Sequence, residues 1–371
     1  MRTKYIFTLS IVILGGFFVQ AQIVTIPDIN FKNALVNGPV VDTDFDDIGD
    51  SDVDTNDDGE IQVSEAEAVS GLYLQSYGII SLEGIQSFIN LNFLDCSDND
   101  INDIDLSQNT SLTSLYCYEN QIVDLNLSQN INLIHVNCEK NNIDVLDVSQ
   151  NTSLSTLHCR FNNISSLDLS NNLGLRDLDC TKNNLSTLDV SNNTNILFLT
   201  CGANHIEILD LSQNSDLYWF QCQDNEELTF LDLRNGGNSG LSLMWAYDTP
   251  NLRCILVDNK TFADGKECGY PTAGWCKDGN DIFIEDMADC VLSSEDFTIS
   301  EIILYPNPTD DVLLLQTKLQ IESVNIYSIR GDLIKSIFEK EEINVSQLSQ
   351  GMYFVEVFSK GYRSISRFVK N

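Results

Sequence analysis

The sequence predicts a mainly β fold, in which a solenoid with a parallel sheet on its concave face precedes a small C-terminal β-sandwich. The strongest observation is a cysteine that recurs every 21 residues. A single residue type recurs at constant spacing over so long a stretch when every turn of a stacked repeat places it in an equivalent buried position. The seven positions are Cys96, Cys117, Cys138, Cys159, Cys180, Cys201 and Cys222.

Two further columns of the repeat support the same stack. Each turn opens on an aliphatic residue, from Leu91 to Leu217, and carries an Asn at its ninth position, from Asn99 to Asn225. The Asn column lies where the chain turns away from the sheet. Because an Asn amide can bond backbone groups that a tight bend leaves unpaired, we interpret this column as a polar ladder and not as a catalytic row.

The L-x-C segment of each turn alternates apolar and polar residues with period two. It predicts a short strand that sends Leu115 and Cys117 inward and Tyr116 and Tyr118 outward, and parallel stacking of these strands makes a sheet. A second alternating segment, L-D-L-S, is expected to form the opposite wall with little or no helix. It recurs at residues 125–128, 146–149, 167–170, 188–191 and 209–212.

These motifs resemble the leucine-rich repeats. The similarity is to the 21-residue type in which Cys replaces one consensus Leu, as in the cysteine-ladder internalins and in many secreted Bacteroidetes proteins. It covers roughly residues 70–260. The resemblance implies a leucine-rich-repeat solenoid with a binding surface, and it does not name the ligand.

The cysteine ladder is predicted to stay reduced. Neighbouring turns lie about 4.8 Å apart with parallel Cα–Cβ vectors, whereas a disulfide requires Cβ atoms about 3.8 Å apart that point together. We therefore interpret each rung as a small buried hydrophobic side chain and not as a redox-active or metal-binding thiol.

The N-terminus has the pattern of a secretory signal peptide over residues 1–21. Arg2 and Lys4 precede an apolar run that ends in the small-residue cleavage site Val19-Gln20-Ala21, so Gln22 is the expected mature start. The run is too short to favour a membrane span, and no later segment reaches 18 apolar residues. We expect an exported chain without a transmembrane segment.

The formal charge of -35 and the isoelectric point near 4.1 constrain the partners. Nucleic acid and anionic membrane surfaces carry charge of the same sign, so repulsion excludes them as partners. Cations are favoured instead.

Four cysteines outside the ladder crowd into the segment after the last repeat. In an oxidising compartment an even cluster of this kind indicates disulfides, here two. Of the three connectivities we prefer the nested one, Cys254–Cys290 with Cys268–Cys276, because it closes a cap around residues 269–275. Zinc binding is the alternative, although the spacings lack a C-x-x-C pair.

Residues 301–371 contain no cysteine and no repeat, and their alternating segments predict a small β-sandwich. The expected strands are Val312–Gln316, Val324–Tyr327, Leu333–Phe338, Tyr353–Phe358 and Ile365–Val369.

The pieces LYPNP at 304–308, NIYSIRGDLI at 325–334, GMYFVEV at 351–357 and the final SRFVKN resemble the C-terminal sorting domain of the Bacteroidetes type IX secretion system. The resemblance implies a partnership with that machinery, passage across the outer membrane, and then surface attachment or release. We interpret Arg330-Gly331-Asp332 as a hairpin turn of this domain and not as an integrin motif.

The motif with the clearest chemistry is DTNDDGEIQVSE at 54–65. Asp54, Asn56 and Asp58 occupy positions 1, 3 and 5 of a calcium loop, a glycine makes the turn at position 6, Glu60 offers its carbonyl at 7, and Glu65 closes the loop at 12. The loop resembles those of EF-hands and dockerins, and the run from 64 to 69 would begin its exiting helix. We expect one structural Ca²⁺, and the alternative is a solvated acidic loop.

The predicted segments are the signal peptide (1–21), an N-terminal cap with the calcium loop and a degenerate first repeat (22–90), seven repeats (91–237), a degenerate repeat with a disulfide-stapled cap (238–290), a linker (291–300) and the sorting domain (301–371). A helix is expected at 26–36 in the N-terminal cap.

Outward strand positions are where specificity would lie, since exposed aromatic side chains contribute large contact area at low entropy cost. The candidate ligand-binding residues of the concave face are Phe93, Tyr116, Tyr118, His135, His158, Arg160, Phe198, Trp219, Trp245 and Tyr247.

A catalytic constellation is not found in the sequence. His135 and His158 lie in adjacent turns near Asp177, but their diagonal offset does not favour a shared metal. We therefore expect a non-enzymatic binding protein, secreted or displayed at the cell surface, whose ligand is another protein. A carbohydrate-binding protein that captures extracellular polysaccharide is the alternative.

Overall fold

Short strands from successive turns stack side by side along the N-terminal part of the chain. The structure is a computed structural model, and it describes residues 22–43, 48–269, 273–290, 303–316, 321, 323–328, 333–338, 342–359 and 362–371. The predicted signal peptide, the linker at 291–300 and the turn at 330–332 lie outside the described residues. The chain divides into two units, residues 1–292 and 293–371.

The first unit contains an eleven-stranded sheet in which ten consecutive strands are parallel. Each turn adds one strand in constant register, so that Leu94 pairs with Leu115 and Leu115 pairs with Val136. This confirms the predicted solenoid. In sheet order the strands are β1 Gly71–Tyr73, β2 Phe93–Asp95, β3 Ser114–Tyr116, β4 His135–Asn137, β5 Thr156–His158, β6 Asp177–Asp179, β7 Phe198–Thr200, β9 Trp219–Gln221, β11 Leu243–Ala246, β14 Ala273–Lys277 and the antiparallel β13 Cys268–Gly269.

The cysteine ladder lies in the core of this solenoid. All seven thiols are fully buried and none forms a disulfide. Burial raises the pKa of the Cys138 thiol to about 12, so the side chain stays neutral and behaves as a small apolar group.

The Asn of each turn connects neighbouring turns. Asn120 Nδ2 donates to the carbonyl oxygen of Cys117 in its own turn (3.1 Å) and to that of Cys96 in the turn before (3.0 Å). Its Oδ1 accepts from the backbone N–H of Ile101 (3.0 Å). The predicted asparagine ladder is therefore confirmed. The bend that it bridges has φ between 52° and 60° at one residue per turn, in the series Asp98, Glu119, Lys140, Phe161, Lys182, Ala203, Asp224 and Asp248.

A second column of Asn side chains is buried near the opposite wall. Asn130 Nδ2 donates to the carbonyl oxygens of Leu106 (3.0 Å) and Asn109 (2.9 Å) of the preceding turn. The same bonds recur at Asn151, Asn172, Asn193 and Asn214. Two amide columns thus fix the spacing of the turns.

The opposite wall contains no helix within residues 91–237, all of which are described, as predicted. A four-stranded parallel sheet forms only in the last turns, whereas earlier turns show isolated bridges that join Asp103 to Asp124 and Asp124 to Val145. The strands of this sheet are β8 Ile208–Asp210, β10 Phe230–Asp232, β12 Cys254–Leu256 and β15 Ile282–Ile284.

The helices of the first unit are short and lie outside the seven repeats. Among the described residues of this unit they are α1 Ile29–Asn37, α2 Val63–Ala66, a 3-10 turn at Ile85–Ser87, α3 Lys260–Asp264 and α4 Met287–Cys290. In the described residues no helix is long and apolar enough to cross a membrane.

Helix α1 is joined to the degenerate first repeat by one carboxylate. Asp28 Oδ1 accepts from the N–H groups of Asn30 (2.8 Å) and Phe31 (3.0 Å) at the helix start, and Oδ2 accepts from Ile80 (2.8 Å) and Ser81 (3.0 Å). Burial raises the pKa of Asp28, but these four donors outweigh burial and the net pKa lies below its ordinary value.

The C-terminal cap, residues 254–290, contains the nested disulfides Cys254–Cys290 and Cys268–Cys276, as preferred from the sequence. The cap also continues the concave sheet, because Trp245 pairs with Cys276 in β14. Trp275 is buried beneath the cap, and its indole N–H donates to the carbonyl of Leu241 (3.0 Å).

The second unit consists of two antiparallel sheets that share one core. One sheet contains β16 Ile303–Tyr305, β17 Val312–Gln316 and β20 Glu342–Asn344, and the other contains β18 Ser323–Ser328, β19 Leu333–Phe338, β21 Gly351–Ser359 and β22 Tyr362–Lys370. Leu313 and Ile343 of the first sheet and Val355 of the second are fully buried in that core. The predicted β-sandwich is confirmed, with β16 and β20 as additional strands.

Candidate binding face and calcium loop

The register of the concave sheet aligns the outward residues of successive turns. One column follows the first position of each strand and contains Phe93, Ser114, His135, Thr156, Asp177, Phe198 and Trp219. The next column follows the third position and contains Asp95, Tyr116, Asn137, His158, Asp179, Thr200, Gln221 and Trp245. Seven of the ten predicted ligand-binding residues lie in these two columns, and the other three, Tyr118, Arg160 and Tyr247, follow shortly after the strands β3, β5 and β11.

Aromatic rings stack at the N-terminal end of this face. The ring centroids of Tyr73 and Phe93 lie 4.7 Å apart in a stacked arrangement, and those of Phe93 and Tyr116 lie 5.6 Å apart. All three side chains, and Tyr118 beside them, are half-buried. The rings of Tyr73 and Phe93 therefore cover part of one another's faces.

Ion pairs occupy the centre of the face. The guanidinium of Arg160 donates to both carboxylate oxygens of Glu139, at 2.6 and 3.0 Å, and its Nε lies 3.7 Å from the carboxylate of Asp179. The His158 Nε2 atom lies 3.2 Å from the Asp177 Oδ2 atom, and this hydrogen bond raises the pKa of His158 above its ordinary value despite partial burial.

The two histidines do not share a ligand. His135 Nδ1 contacts Thr156 Oγ1 at 3.1 Å, whereas His158 is bonded to Asp177. Each ring is therefore oriented by a different neighbour.

A second aromatic group lies at the C-terminal end of the face. Phe198 is 39% exposed and contacts Tyr218 edge to face at 6.1 Å between centroids. Trp219 is half-buried in the adjacent strand. The centroids of Trp245 and Tyr247, both half-buried, lie 6.0 Å apart. Aromatic groups thus flank a charged centre.

An acidic cavity of about 760 Å³ lies next to the last concave strands. Both carboxylate oxygens of Asp278 accept from backbone N–H groups, those of Asp248 (3.1 Å) and Thr249 (2.9 Å). The lining residues are Asp224, Glu226, Asp248, Pro250, Arg253, Asp278, Gly279 and Asn280.

The predicted calcium loop closes through its own backbone. Asp54 is 2% exposed, and its carboxylate accepts from the N–H groups of Gly59 (2.7 Å) and Asp58 (3.2 Å). Gly59 has φ of 83°, which explains the need for glycine at the sharp turn. The N–H of Glu60 donates to Asp58 Oδ1 (2.9 Å), and this bond is the main reason that the pKa of Asp58 is lowered.

The loop leads into the short helix α2, which begins one residue before the predicted exiting helix and is shorter than expected. Glu65 Oε2 accepts from the N–H of Gln62 (2.9 Å), and Oε1 accepts from the hydroxyl of Thr55 (2.8 Å). The amide of Gln62 donates to both oxygens of Asp58 at 3.1 Å and accepts from Asn56 Nδ2 at 2.6 Å. The structure brings the loop residues together around this amide.

No cluster of three or more His, Cys, Asp or Glu side chains is arranged to hold a metal ion in the described part of the chain. Calcium binding by Asp54, Asn56, Asp58, Glu60 and Glu65 stays a prediction.

The loop is attached to two other parts of the N-terminal cap. Val24 N–H donates to the carbonyl of Ile61 (2.8 Å), and Lys32 Nζ of α1 lies 2.7 Å from Glu60 Oε2. A change in the loop would therefore be transmitted to α1 and to the extended segment at Val24.

Sequence reasoning selected the aromatic and basic residues of the face as candidate ligand-binding residues and left its carboxylates out, although Asp177 was noted as a neighbour of the two histidines. Asp177, Asp179 and Glu139 occupy the same outward positions as the selected residues and pair with His158 and Arg160. The alignment of the repeats already places these carboxylates at outward strand positions. They were not selected because Asp is also frequent at other positions of the repeat. Tyr73 was missed because its turn is degenerate.

Comparison with known families gives a match for the C-terminal unit. Residues 303–371 match the family model of a secretion system C-terminal sorting domain. This match indicates that the protein is secreted and attached to the cell surface. A comparison with curated proteins found no match.

The solved structures that are similar to this chain include several internalins. An internalin (InlF) from Listeria monocytogenes is 19% identical, with 64% of this chain and 86% of that chain covered and a TM-score of 0.41. Internalin C2 from the same organism is 20% identical, with 64% and 98% covered and a TM-score of 0.44. The functional domain of InlJ, described as including a cysteine ladder, is 17% identical, with 95% and 98% covered and a TM-score of 0.25. At TM-scores below 0.5 these similarities add no argument to the repeat fold that the strands themselves display.

Proposed function

We propose that this protein is a non-enzymatic binding protein that recognises another protein through its concave face after export. The observation that carries the proposal is the arrangement of the face, where two groups of half-buried aromatic side chains flank a centre of ion pairs. None of these outward residues recurs in every turn, whereas the residues that build the stack do. Outward side chains that differ from turn to turn give a repetitive scaffold a surface that one partner can recognise specifically.

The aromatic groups supply affinity in this account. Stacked rings such as Tyr73 and Phe93 are already ordered, so little entropy is lost when a partner covers the parts of them that remain exposed. The Arg160–Glu139 pair is also held in place before binding, which supports orientation of a polar partner surface.

The charge of the molecule favours a cationic partner surface. Residues 303–371 contain eight Lys or Arg and eight Asp or Glu, so the formal charge of -35 is carried by the residues before them. The electrostatic field of this negative charge accelerates the association of a basic partner, and added salt screens it.

A polysaccharide is the second candidate, and Trp219 is the observation that favours it. Trp219 lies in β9, between Phe198 and Leu243 of the neighbouring strands, without a stacked aromatic partner in the described residues. Sugar rings pack on aromatic faces, and the half-buried indole of Trp219 offers such a face. The N-terminal group suits a sugar less well, because its ring faces cover one another.

The test is a parallel screen of the full chain against an array of extracellular proteins and an array of glycans. Saturable binding to a protein that weakens as salt rises supports the first candidate. Binding to glycans alone, lost in Trp219→Ala, would replace it by the second. Saturable binding to neither array would contradict both.

The calcium site is proposed as a structural element of the N-terminal cap. Its donors are oxygen atoms of Asp54, Asn56, Asp58, Glu60 and Glu65, the ligand type that Ca²⁺ requires. Burial, and then the negative charges of Asp57, Asp54 and Glu65, raise the pKa of nearby Asp52. Bound Ca²⁺ would supply the positive charge that offsets this concentration of carboxylates, with Gln62 releasing the carboxylate of Asp58.

The export route is proposed to be the type IX secretion system, read through the C-terminal unit. The support is the order of the motifs along residues 304–371 together with the sorting-domain match. Deletion of this unit should leave the protein inside the cell envelope, and normal export of the truncated chain would contradict the proposal.

A further inference from the structure

Asp281 is a buried carboxylate that the fold leaves without a partner. It follows β14 in the last turn of the solenoid and is 2% exposed. Neither carboxylate oxygen accepts a hydrogen bond of ordinary geometry from any described residue, although the backbone N–H of Asp278 lies close enough to lower the pKa of Asp281. The ammonium group of Lys277 donates to the backbone carbonyl of Asp281 and not to its carboxylate.

The preceding turns place a different chemical group beneath their bends. In the seven repeats the buried polar side chain is an Asn, such as Asn225, whose amide donates to the carbonyl oxygens of Cys222 (2.8 Å) and Cys201 (3.2 Å). In the next turn it is Thr249, whose hydroxyl donates to the carbonyl of Ala246 (3.2 Å). An ionised Asp has no donor, whereas a protonated Asp carries one O–H. Only the protonated form of Asp281 is therefore chemically similar to the group that closes the other turns.

Four charged or titratable groups act on Asp281 or are affected by its charge, and they come from different strands and turns. Asp278 lies in the same turn, Lys277 ends β14, Arg253 precedes β12, and the Cys222 thiol follows β9. Burial is the main influence and the charge of Asp278 adds to it, while Lys277, the backbone N–H of Asp278 and Arg253 oppose both, and the net effect raises the pKa of Asp281 to about 7. Burial and the charge of Asp281 also raise the pKa of the Cys222 thiol.

We propose that Asp281 makes the closure of the C-terminal cap over the last repeat dependent on protonation. The neutral side chain allows the cap to close over the end of the cysteine ladder at Cys222. Ionisation places an unpaired charge in that buried position, which favours an opened cap in which water reaches the carboxylate. The cap is thus a pH-sensitive end of the binding domain, closed in acid and loosened near neutral pH.

The direction in which pH changes cap closure follows from the raised pKa of Asp281. The pKa of Asp281 is higher in the closed cap, about 7, than the ordinary value of 3.8, so the closed state binds the proton more tightly. The free energy of cap closure is most favourable below about pH 4, becomes less favourable as the pH rises towards 7, and is constant at higher pH. Between pH 5 and pH 8 the equilibrium constant for opening should rise by about 100-fold.

The test uses Cys222 as a reporter of cap opening and Cys159, in the middle of the ladder, as an internal control. The full chain is treated with N-ethylmaleimide at pH 5 to 8 with its disulfides intact, and each labelling rate is divided by that of the same peptide in denatured protein at the same pH. We expect the corrected rate at Cys222 to rise by about 100-fold with pH while that at Cys159 stays constant.

Asp281→Asn should label Cys222 slowly at every pH, because the amide is neutral throughout, whereas the exposed control Asp289→Asn should follow the wild-type profile. Identical pH profiles at Cys222 and Cys159 in the wild type would overturn the proposal. So would an Asp281→Asn variant that keeps the wild-type pH dependence at Cys222.

Discussion

The side-chain amide of Asn141 donates to the carbonyl oxygen of Cys117, one turn earlier, at a distance of 2.9 Å. The same amide donates to Cys138 in its own turn (3.1 Å), and its oxygen accepts from the N–H of Ile122 (2.9 Å). The cysteine and asparagine ladders are therefore one device, in which the thiol fills the core and the carbonyl of the same residue is bonded by an amide. This device holds the outward residues of the face in register.

Replacement of Asn141 by Ala should destabilise the solenoid by about 2–4 kcal/mol, because two buried carbonyl oxygens and one N–H lose their partner. Urea unfolding followed by circular dichroism measures the change. The adjacent Asn142 is exposed, and Asn142→Ala should alter stability by no more than about 0.5 kcal/mol. Equal effects of the two substitutions would show that the ladder bonds do not stabilise the stack.

The cysteine ladder should contain seven reduced thiols. Thiol counting on denatured, unreduced protein should find close to the seven unpaired cysteines. Cys159→Ala should cost about 1–2 kcal/mol through a lost methylene-sized volume, and Cys159→Asp considerably more because its charge would be buried without a partner. A count of zero or one would mean that the ladder is oxidised.

Calcium should stabilise the N-terminal cap. At a hundredfold excess over Kd, binding to the folded form alone adds about 2.7 kcal/mol. Thermal melts with calcium and with chelator measure the difference for each variant, so that any direct effect of a substitution cancels. Glu65→Gln should abolish the calcium response, and the exposed Glu67→Gln should preserve it. Coincident melts of the wild type in calcium and chelator would remove calcium from the account.

The pKa of His158 should lie above its ordinary value, because the Asp177 carboxylate stabilises the imidazolium. The raised pKa means that the pair contributes stability at acidic pH, and the contribution is lost as pH rises through the pKa of the folded protein. An NMR titration of the histidine ring should show a lower pKa in Asp177→Asn and an unchanged one in Asp168→Asn, on the opposite wall. An unchanged His158 pKa in Asp177→Asn would contradict the assigned hydrogen bond.

Periodic features of the structure could be predicted from the sequence because a repeat places one residue type in one environment many times. The spacing of Cys96 to Cys222 predicted the sheet, and the alternation around Leu115 predicted which side chains point inward. The nested disulfides were preferred among three connectivities on the basis of the segment between Cys268 and Cys276, and the structure contains that pairing.

The features that could not be predicted depend on contacts that occur at a single place in the molecule and are not repeated from turn to turn. Asp28 joins α1 to residues 80 and 81, about 50 positions away, and no local pattern marks it. Asp281 looks like an ordinary polar residue of a DGND turn, and only the packed cap reveals that it is buried. In the opposite wall, the L-D-L-S segments have strand-like sequences, but only the last turns pair regularly enough to form strands.

The central claim is that the concave face is the binding surface. The most direct test is the dissociation constant, by bio-layer interferometry, of the full chain for the strongest protein that it retains on the extracellular array. Tyr116→Ala combined with Trp219→Ala should weaken binding by at least about 30-fold, as loss of interface hot spots does. Val145→Ala combined with Ile208→Ala, on exposed side chains of the opposite wall, should leave it unchanged. Equal affinity of the concave double variant and the wild type would contradict the claim.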